Sequence, residues 1–118
     1  MGHKMRIMYI ERKAGELEGS ARIGRVTYSK SGRSLYYRGK TYNMSEGFKS
    51  NFVEDDSGED YWISGPRRDG ADRLYDTGLP VEIDEDVREE YWTTIRNKPE
   101  WKDRSTTTGG KARKRVAV

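Results

Sequence analysis

The sequence predicts an α+β domain: a mostly antiparallel, strongly bent sheet, or a small partly open β-barrel, of five to six short strands closed by one C-terminal helix. Two observations predict it. Short apolar runs separated by polar, glycine-containing breaks recur at hairpin spacing from residue 6 to residue 63. One amphipathic segment follows at residues 84–97, and a helix of about 12 residues needs a sheet to pack against.

The first half of the chain predicts an inner strand and a hairpin. Residues 6–10 form an apolar, β-branched run that is typical of an inner strand. The runs 21–30 and 35–37 lie on either side of Ser31-Gly32, and such a polar break with glycine predicts a hairpin. Gly24 lies inside the first of these runs and predicts a β-bulge there.

A second hairpin is predicted around the acidic run 54–60. The apolar residues Phe52 and Val53 lead into this run, and residues 61–63 leave it. Acidic oxygens suit calcium or magnesium, but the spacing lacks the fixed glutamate of a calcium-binding loop. We therefore interpret the run as a solvated hairpin tip and predict no metal site.

The helix is the best-marked element of the sequence. Asp84 is a residue type that caps a helix N-terminus, and Asn97 can adopt the left-handed conformation that ends one. The apolar positions that recur every four residues and should be buried are Val87, Tyr91 and Ile95. Trp92 is expected at the rim of the same face.

Composition bounds the domain organisation. We expect residues 1–4 to be a leader or an expression remnant, 5–100 a single domain and 101–118 a flexible basic tail. The absence of cysteine excludes disulfides and thiolate zinc sites, and it suits the cytoplasm, where we expect the protein. The apolar runs are far shorter than a membrane span, so no membrane partner is predicted.

No motif predicts an enzyme, and we predict no catalytic residue and no cofactor. Ser64-Gly65 lacks the spacing of a nucleophile elbow, and no phosphate-binding glycine loop is present. The carboxylates of Glu82, Asp84 and Asp86 leave a small carboxylate-dependent hydrolase as a third hypothesis.

Charge is zoned along the chain. Residues 1–53 carry 11 basic against 4 acidic side chains, a net charge of +7. Residues 54–100 carry 6 against 15, or −9, and residues 101–118 carry 6 against 1, or +5. Such zoning favours an oriented encounter with a partner over general stickiness.

Basic residues interleaved with tyrosines predict a non-enzymatic binding module for nucleic acid, because cations contact phosphates and aromatic rings stack on bases. In this hypothesis the acidic zone faces away from the ligand. The alternative is a protein–protein interaction module that uses its zoned charge, with another copy of the chain as one such partner. The candidate nucleic-acid-binding residues are Arg22, Arg25, Lys30, Arg33, Tyr36, Arg38, Lys40, Arg67, Arg68, Lys111, Arg113, Lys114 and Arg115.

The segment from Tyr61 to Gly65, then Asp69-Gly70, the run 73–75 and the run 81–92 resemble a family of small uncharacterised bacterial proteins. The resemblance covers about residues 5–100 and implies no activity and no catalytic residue. Some members of that family carry the label of a deoxyxylulose phosphate synthase. A chain of this length is too short for the domains that such a thiamine-dependent enzyme needs.

Overall fold

The computed structural model describes residues 4–13, 19–47, 49–73 and 79–108, which contain eight strands and one short helix. The strands, in chain order, are β1 (Met5–Arg12), β2 (Ala21–Tyr28), β3 (Ser34–Tyr37), β4 (Lys40–Gly47), β5 (Ser50–Glu54), β6 (Asp60–Ser64), β7 (Val81–Ile83) and β8 (Thr106–Thr107). All pairs are antiparallel except β2 and β7, which are parallel. The prediction of a small sheet-dominated domain with mostly antiparallel strands is therefore confirmed.

Strands β1 to β6 form a ring. β1 pairs with β2 on one side and with β6 on the other, and the remaining neighbours follow chain order. The predicted hairpins correspond to β2–β3 and β5–β6. All six strands contribute to one buried cluster, formed by Met8, Ile10, Val26, Leu35, Tyr37, Tyr42, Phe52 and Ile63.

A second apolar cluster lies on the other face of β1 and β2. Ile7 and Tyr9 belong to it, whereas Met8 and Ile10 face the ring, so β1 is buried on both faces. In the sequence, a strand that is buried on both faces is a continuous run of apolar residues, whereas a strand with one exposed face alternates apolar and polar residues. Strand β7 and the helix cover this cluster with Val81, Ile83, Val87, Tyr91 and Trp92.

The helix (residues 85–95) widens along its length. It begins with a 3-10 turn at Glu85–Val87, continues through Arg88–Glu90 and ends in a π turn at Tyr91–Ile95. Asn97 follows with a φ of 57°, so the predicted left-handed residue at the helix end is confirmed. The part of the chain that the structure describes contains no helix long and apolar enough to span a membrane.

Three details of the predicted helix are wrong. The Asp84 side chain makes no capping hydrogen bond, because its carboxylate is bound by residues of β2 and β3 instead. Trp92 is 1% exposed rather than at the rim, because Trp101 packs edge-on against it at 5.2 Å. The burial of Val87 and Tyr91 is confirmed, and Ile95 is only partly buried.

The chain packs back onto the domain after the helix. A 3-10 turn at Pro99–Trp101 leads to β8, which pairs with β7 so that Thr107 lies opposite Val81. The Trp92 indole N–H donates to the carbonyl of Arg104 at 2.9 Å and ties this segment to the helix. The sequence analysis did not anticipate β8, and residues 109–118 of the predicted tail lie outside the described residues.

Candidate nucleic-acid interface

The first group of candidate basic residues surrounds Asp84. Because β7 runs parallel to β2, Asp84 follows the strand end beside Ile23, whose carbonyl accepts its backbone N–H at 2.9 Å. The Asp84 carboxylate then accepts hydrogen bonds from Arg22 Nε at 2.9 Å and from Arg38 Nη1 at 3.2 Å. These two arginines are therefore ion-paired within the domain.

The hydroxyl of Tyr37 completes this carboxylate site. It donates a short hydrogen bond to Asp84 Oδ2. Burial, together with that hydrogen bond to a carboxylate, raises the pKa of Tyr37 to about 12, so the hydroxyl keeps its proton at neutral pH. An open cleft of about 870 Å³ lies over the site.

Gly24 makes room for this arrangement and is not a bulge. It lies in regular register opposite Met8, so the predicted bulge is wrong. A Cβ atom at Gly24 would lie 2.4 Å from the ring of Tyr37 and 2.6 Å from Asp84 Oδ2. The glycine is required because the tyrosine and the carboxylate approach the β2 backbone too closely for any side chain.

Arg25 also forms ion pairs with residues of the acidic zone. Its guanidinium lies 3.0 Å from Glu90 and 4.0 Å from Asp86, both on the helix. Arg22 makes a further ion pair with Glu82 at 3.1 Å. The expectation that the acidic zone faces away from the basic half therefore fails for Arg22, Arg25 and Arg38.

The second group of candidates lies along the β2–β3–β4 hairpins, and we call these four residues the hairpin face: Lys30, Arg33, Tyr36 and Lys40. Tyr36 lies on the outward side of the sheet, whereas Lys40 lies opposite the inward-facing Tyr37. Tyr36 alternates with the buried Leu35 and Tyr37 and is 41% exposed. All three cations are exposed and have no ion pair among the residues that the structure describes. Tyr36 lies between Thr27 and Thr41 in the sheet register, so its ring stands above small neighbours.

Acidic residues border one side of the hairpin face. Asp55 accepts a hydrogen bond from Asn43 of β4 at 3.2 Å. Hydrogen bonds from the Ser57 side chain and from the Asp56 backbone, helped by the charge of Lys40, hold the pKa of Glu54 below its usual range. Glu46 lines a groove together with Arg33, so acidic residues lie near both the Arg33 end and the Lys40 end of the face.

The two arginines of the following loop differ. Arg67 donates from Nε and Nη2 to both carboxylate oxygens of Asp69, at 3.0 and 3.1 Å. That pairing lowers the pKa of Asp69 to about 2. Arg68 is exposed and has no ion pair within the described ranges, and the candidates Lys111, Arg113, Lys114 and Arg115 lie outside the described residues.

Sequence reasoning missed a third basic surface, which we call the Trp101 groove and define by Lys98, Trp101 and Arg104. The Arg104 guanidinium carbon lies 4.0 Å from the Trp101 ring centroid, and Lys98 Nζ lies 4.7 Å from it. Both cations are three residues from Trp101, a spacing that places them beside the ring on a tight helical turn. The spacing of three residues between Lys98, Trp101 and Arg104 is visible in the sequence and indicates this surface. The prediction of a flexible tail from residue 101 onward left it out.

The remaining charged groups of note are buried. Glu11, which is fully buried, accepts hydrogen bonds from Tyr9 at 2.7 Å and Lys13 at 3.0 Å, and Arg73 lies 3.7 Å from it. Asp72 accepts from the Arg67 backbone at 2.7 Å through one oxygen, while its other oxygen has no hydrogen bond to the described residues. Burial raises the pKa of Asp72 to about 6. No cluster of three metal-ligating side chains exists among the described residues.

Comparisons with protein-family models, with curated proteins and with solved structures find no match to this chain.

Proposed function

We propose that this domain is a non-enzymatic module that binds nucleic acid through the hairpin face. One observation carries the proposal. An exposed tyrosine lies among three exposed cations that have no ion pair with the described residues, whereas Arg22, Arg25 and Arg38 are all paired with acids. Cations without acid partners can neutralise phosphates and release counterions.

The geometry of the face favours single-stranded ligands. Tyr36 lies on the outward side of β3 and is 41% exposed, so its ring can stack on an unpaired base. The cations lie at the two ends of β3, and four strand residues span about 13 Å. Arg33 and Lys40 have long side chains at those two ends, so a strand of nucleic acid that stacks one base on Tyr36 can place its flanking phosphates near them.

The other candidates have supporting parts in this proposal. Arg22, Arg25 and Arg38 hold the helix and β7 against β2 and do not contact the ligand. The six-strand ring, which we regard as a small partly open barrel, supplies a rigid scaffold for the face. Arg68 and the run 111–115 add phosphate contacts that are independent of sequence.

A protein partner is the second candidate function. Met44 is 60% exposed and lines a shallow groove of about 490 Å³ together with Arg33 and Glu46. An exposed methionine beside charges of both signs suits a protein surface. This alternative has less support from the charge zones, because part of the acidic zone is already paired with Arg22, Arg25 and Arg38.

The test of the nucleic-acid proposal is fluorescence anisotropy with a labelled single-stranded oligonucleotide at low salt. Lys30→Gln with Arg33→Gln should weaken binding and lower the slope of log affinity against log salt by roughly two units. The matched control, Arg25→Gln with Arg67→Gln, removes the same charge from arginines that have acid partners, and it should leave the slope unchanged.

The outcomes separate the two candidates. Equal losses in both double variants would mean that only net charge matters and would contradict a specific face. If the intact chain shows no binding at high protein concentration and low salt, the nucleic-acid proposal fails and the protein-interaction alternative takes its place.

A further inference from the structure

We propose that the groove at the Arg33 end of the hairpin face holds a second unpaired base and selects guanine through the carboxylate of Glu46. This inference rests on the proposed function, because the hairpin face supplies the affinity for a single strand and the groove adds a preference among bases. The residues that line the groove are Arg33, Ser34, Asn43, Met44, Ser45 and Glu46.

The groove adjoins the hairpin face and shares Arg33 with it. It lies where β3 and β4 meet, since the backbone N–H of Met44 donates to the carbonyl of Arg33 at 2.9 Å. Ser34 is two residues from Tyr36, so both lie on the same side of β3, about 7 Å apart along the strand. Neighbouring nucleotides of a single strand can therefore place one base on Tyr36 and the next base in the groove.

The polar side chains of the groove differ in whether they already have partners. The Ser34 hydroxyl donates to Asn43 Oδ1 at 2.6 Å, and Asn43 Nδ2 donates to Asp55 Oδ1 at 3.2 Å. The Asn43 amide is therefore occupied at both its oxygen and its nitrogen. Glu46 is exposed, and its carboxylate makes no hydrogen bond and no ion pair with the residues that the structure describes. It is the charged acceptor in this groove that remains open to a ligand.

A free carboxylate next to Arg33 affects which ligand can bind. It repels the phosphates of any nucleic acid and so lowers the affinity for every sequence. A hydrogen-bond donor on a base offsets this repulsion, because an ionised carboxylate only accepts hydrogen bonds. Glu46 therefore favours bases whose exposed edge presents N–H donors.

Guanine matches this carboxylate best. Its Watson–Crick edge presents two adjacent donors, the N1–H and the N2 amino group, which can reach both oxygens of one carboxylate. Adenine and cytosine present an amino donor next to an acceptor nitrogen, and thymine presents one N–H between two carbonyl oxygens. A contact through two hydrogen bonds discriminates more strongly between bases than a contact through one.

Met44 and Arg33 supply the other contacts that a nucleotide in the groove needs. The Met44 side chain is 60% exposed, and its thioether is polarizable and packs favourably against aromatic rings. Arg33 is exposed and can contact the phosphate next to the bound base. The groove volume of about 490 Å³ lies within the range of about 300–1,000 Å³ that is typical of small-molecule sites.

The experiment is fluorescence anisotropy of the full chain at low salt with two labelled single strands. One is an oligothymidylate, and the other is the same strand with one deoxyguanosine in place of the central thymidine. The natural chain should bind the strand with guanine about 10-fold more tightly. A third strand with deoxyinosine at that position lacks the N2 amino group and should lose most of the preference.

The variant Glu46→Gln should affect the two strands in opposite directions. It removes a negative charge, so it should bind the oligothymidylate somewhat more tightly, and it should bind the strand with guanine less tightly than the natural chain does. The matched control is Glu85→Gln, because Glu85 is an exposed acid at the start of the helix and does not line the groove. This control removes the same charge and should keep the 10-fold preference.

The result that overturns the inference differs from the one that overturns the proposed function. If the natural chain binds both strands equally well, the groove does not select guanine and the proposed function stands. If the preference persists in Glu46→Gln, or is lost to the same extent in Glu85→Gln, the assignment to Glu46 is wrong. If the intact chain binds neither strand at low salt, both proposals fail.

Discussion

Two surfaces of this domain carry basic side chains from neighbouring strands, and they differ in whether acidic residues reach them. On β2, Arg22 and Arg25 lie beside β7 and the helix, and their guanidiniums are within 3.1 Å of Asp84 and Glu90. On the hairpin face, Lys30 and Arg33 have no ion pair with the described residues. The arginines of β2 therefore hold β7 and the helix against the sheet through ion pairs. The cations of the hairpin face remain available to a ligand.

The comparison teaches that charge zones along a sequence do not translate directly into charge zones on a surface. The parallel pairing of β2 with β7 sets residue 22 opposite residue 82, and this brings the basic and acidic zones together. What remains exposed after that pairing is a smaller basic surface than the sequence suggests.

The largest expected effect concerns the anchor that holds the acidic helix over β2. Tyr91 is fully buried in the second apolar cluster. Tyr91→Ala should lower the free energy of unfolding by about 3–5 kcal/mol, as truncations of buried aromatic side chains do. Chemical denaturation measures the loss. Tyr36→Ala, which truncates an exposed tyrosine, is the control and should cost less than about 1 kcal/mol. Equal losses would mean that the helix packing is not as described.

The next prediction compares two buried carboxylates, Asp84 and Asp72. Asp84 accepts hydrogen bonds from two guanidinium groups, whereas one oxygen of Asp72 has no hydrogen bond to the described residues. Asp84 is bound by two arginines, whereas Asp72 is buried with a pKa of about 6 against an ordinary 3.8. The folded state therefore holds the Asp72 proton more tightly than the unfolded chain. Stability contributed by this group is present below 3.8 and is lost as the pH rises to about 6.

The variant Asp72→Asn isolates this effect, because asparagine cannot ionise and its side-chain oxygen can still accept from the Arg67 backbone. A shift of about two pKa units corresponds to at most about 3 kcal/mol. Denaturation of both proteins across this pH range should show the natural chain losing up to that amount relative to Asp72→Asn. Parallel pH profiles would contradict the raised pKa.

A smaller effect is expected at Asp84 itself. Asp84→Ala leaves the buried Tyr37 hydroxyl without its acceptor, which should cost about 2 kcal/mol. The two arginine ion pairs should add little, because both arginine side chains are at least partly exposed to solvent. Adding Tyr37→Phe removes the orphaned hydroxyl, so the double variant should lose less than the sum of the two single variants. Asp86→Ala, at an exposed partner of Arg25, is the control and should change stability by less than about 0.5 kcal/mol. Strict additivity of the two changes would show that the hydrogen bond contributes nothing.

Local patterns were enough to predict most of the sheet. The alternation of β3, the Ser31-Gly32 break and the left-handed Asn97 depend on neighbours in sequence, and all three are present in the structure. β8 was missed because two threonines have no stabilising pattern of their own and become a strand only by pairing with β7.

The role of Asp84 could not be predicted for the same reason. A local pattern assigned it to a helix cap, but the donors that reach it lie 46 to 62 residues away in sequence. In the same way, the sequence around Gly24 predicts a bulge. The structure shows that glycine is needed there because the Tyr37 ring lies too close to the β2 backbone for a side chain. Partners distant in sequence decide which arginines remain exposed, and so they decide the candidate site.

Mapping of backbone amide shifts by NMR during titration with a short oligothymidylate at low salt tests the central claim most directly. Our account predicts shifts along residues 29–41, with small changes in residues 82–90, where the acids are already paired with Arg22 and Arg25. Shifts concentrated in residues 82–90, or no shifts at all at saturating oligonucleotide, would contradict it.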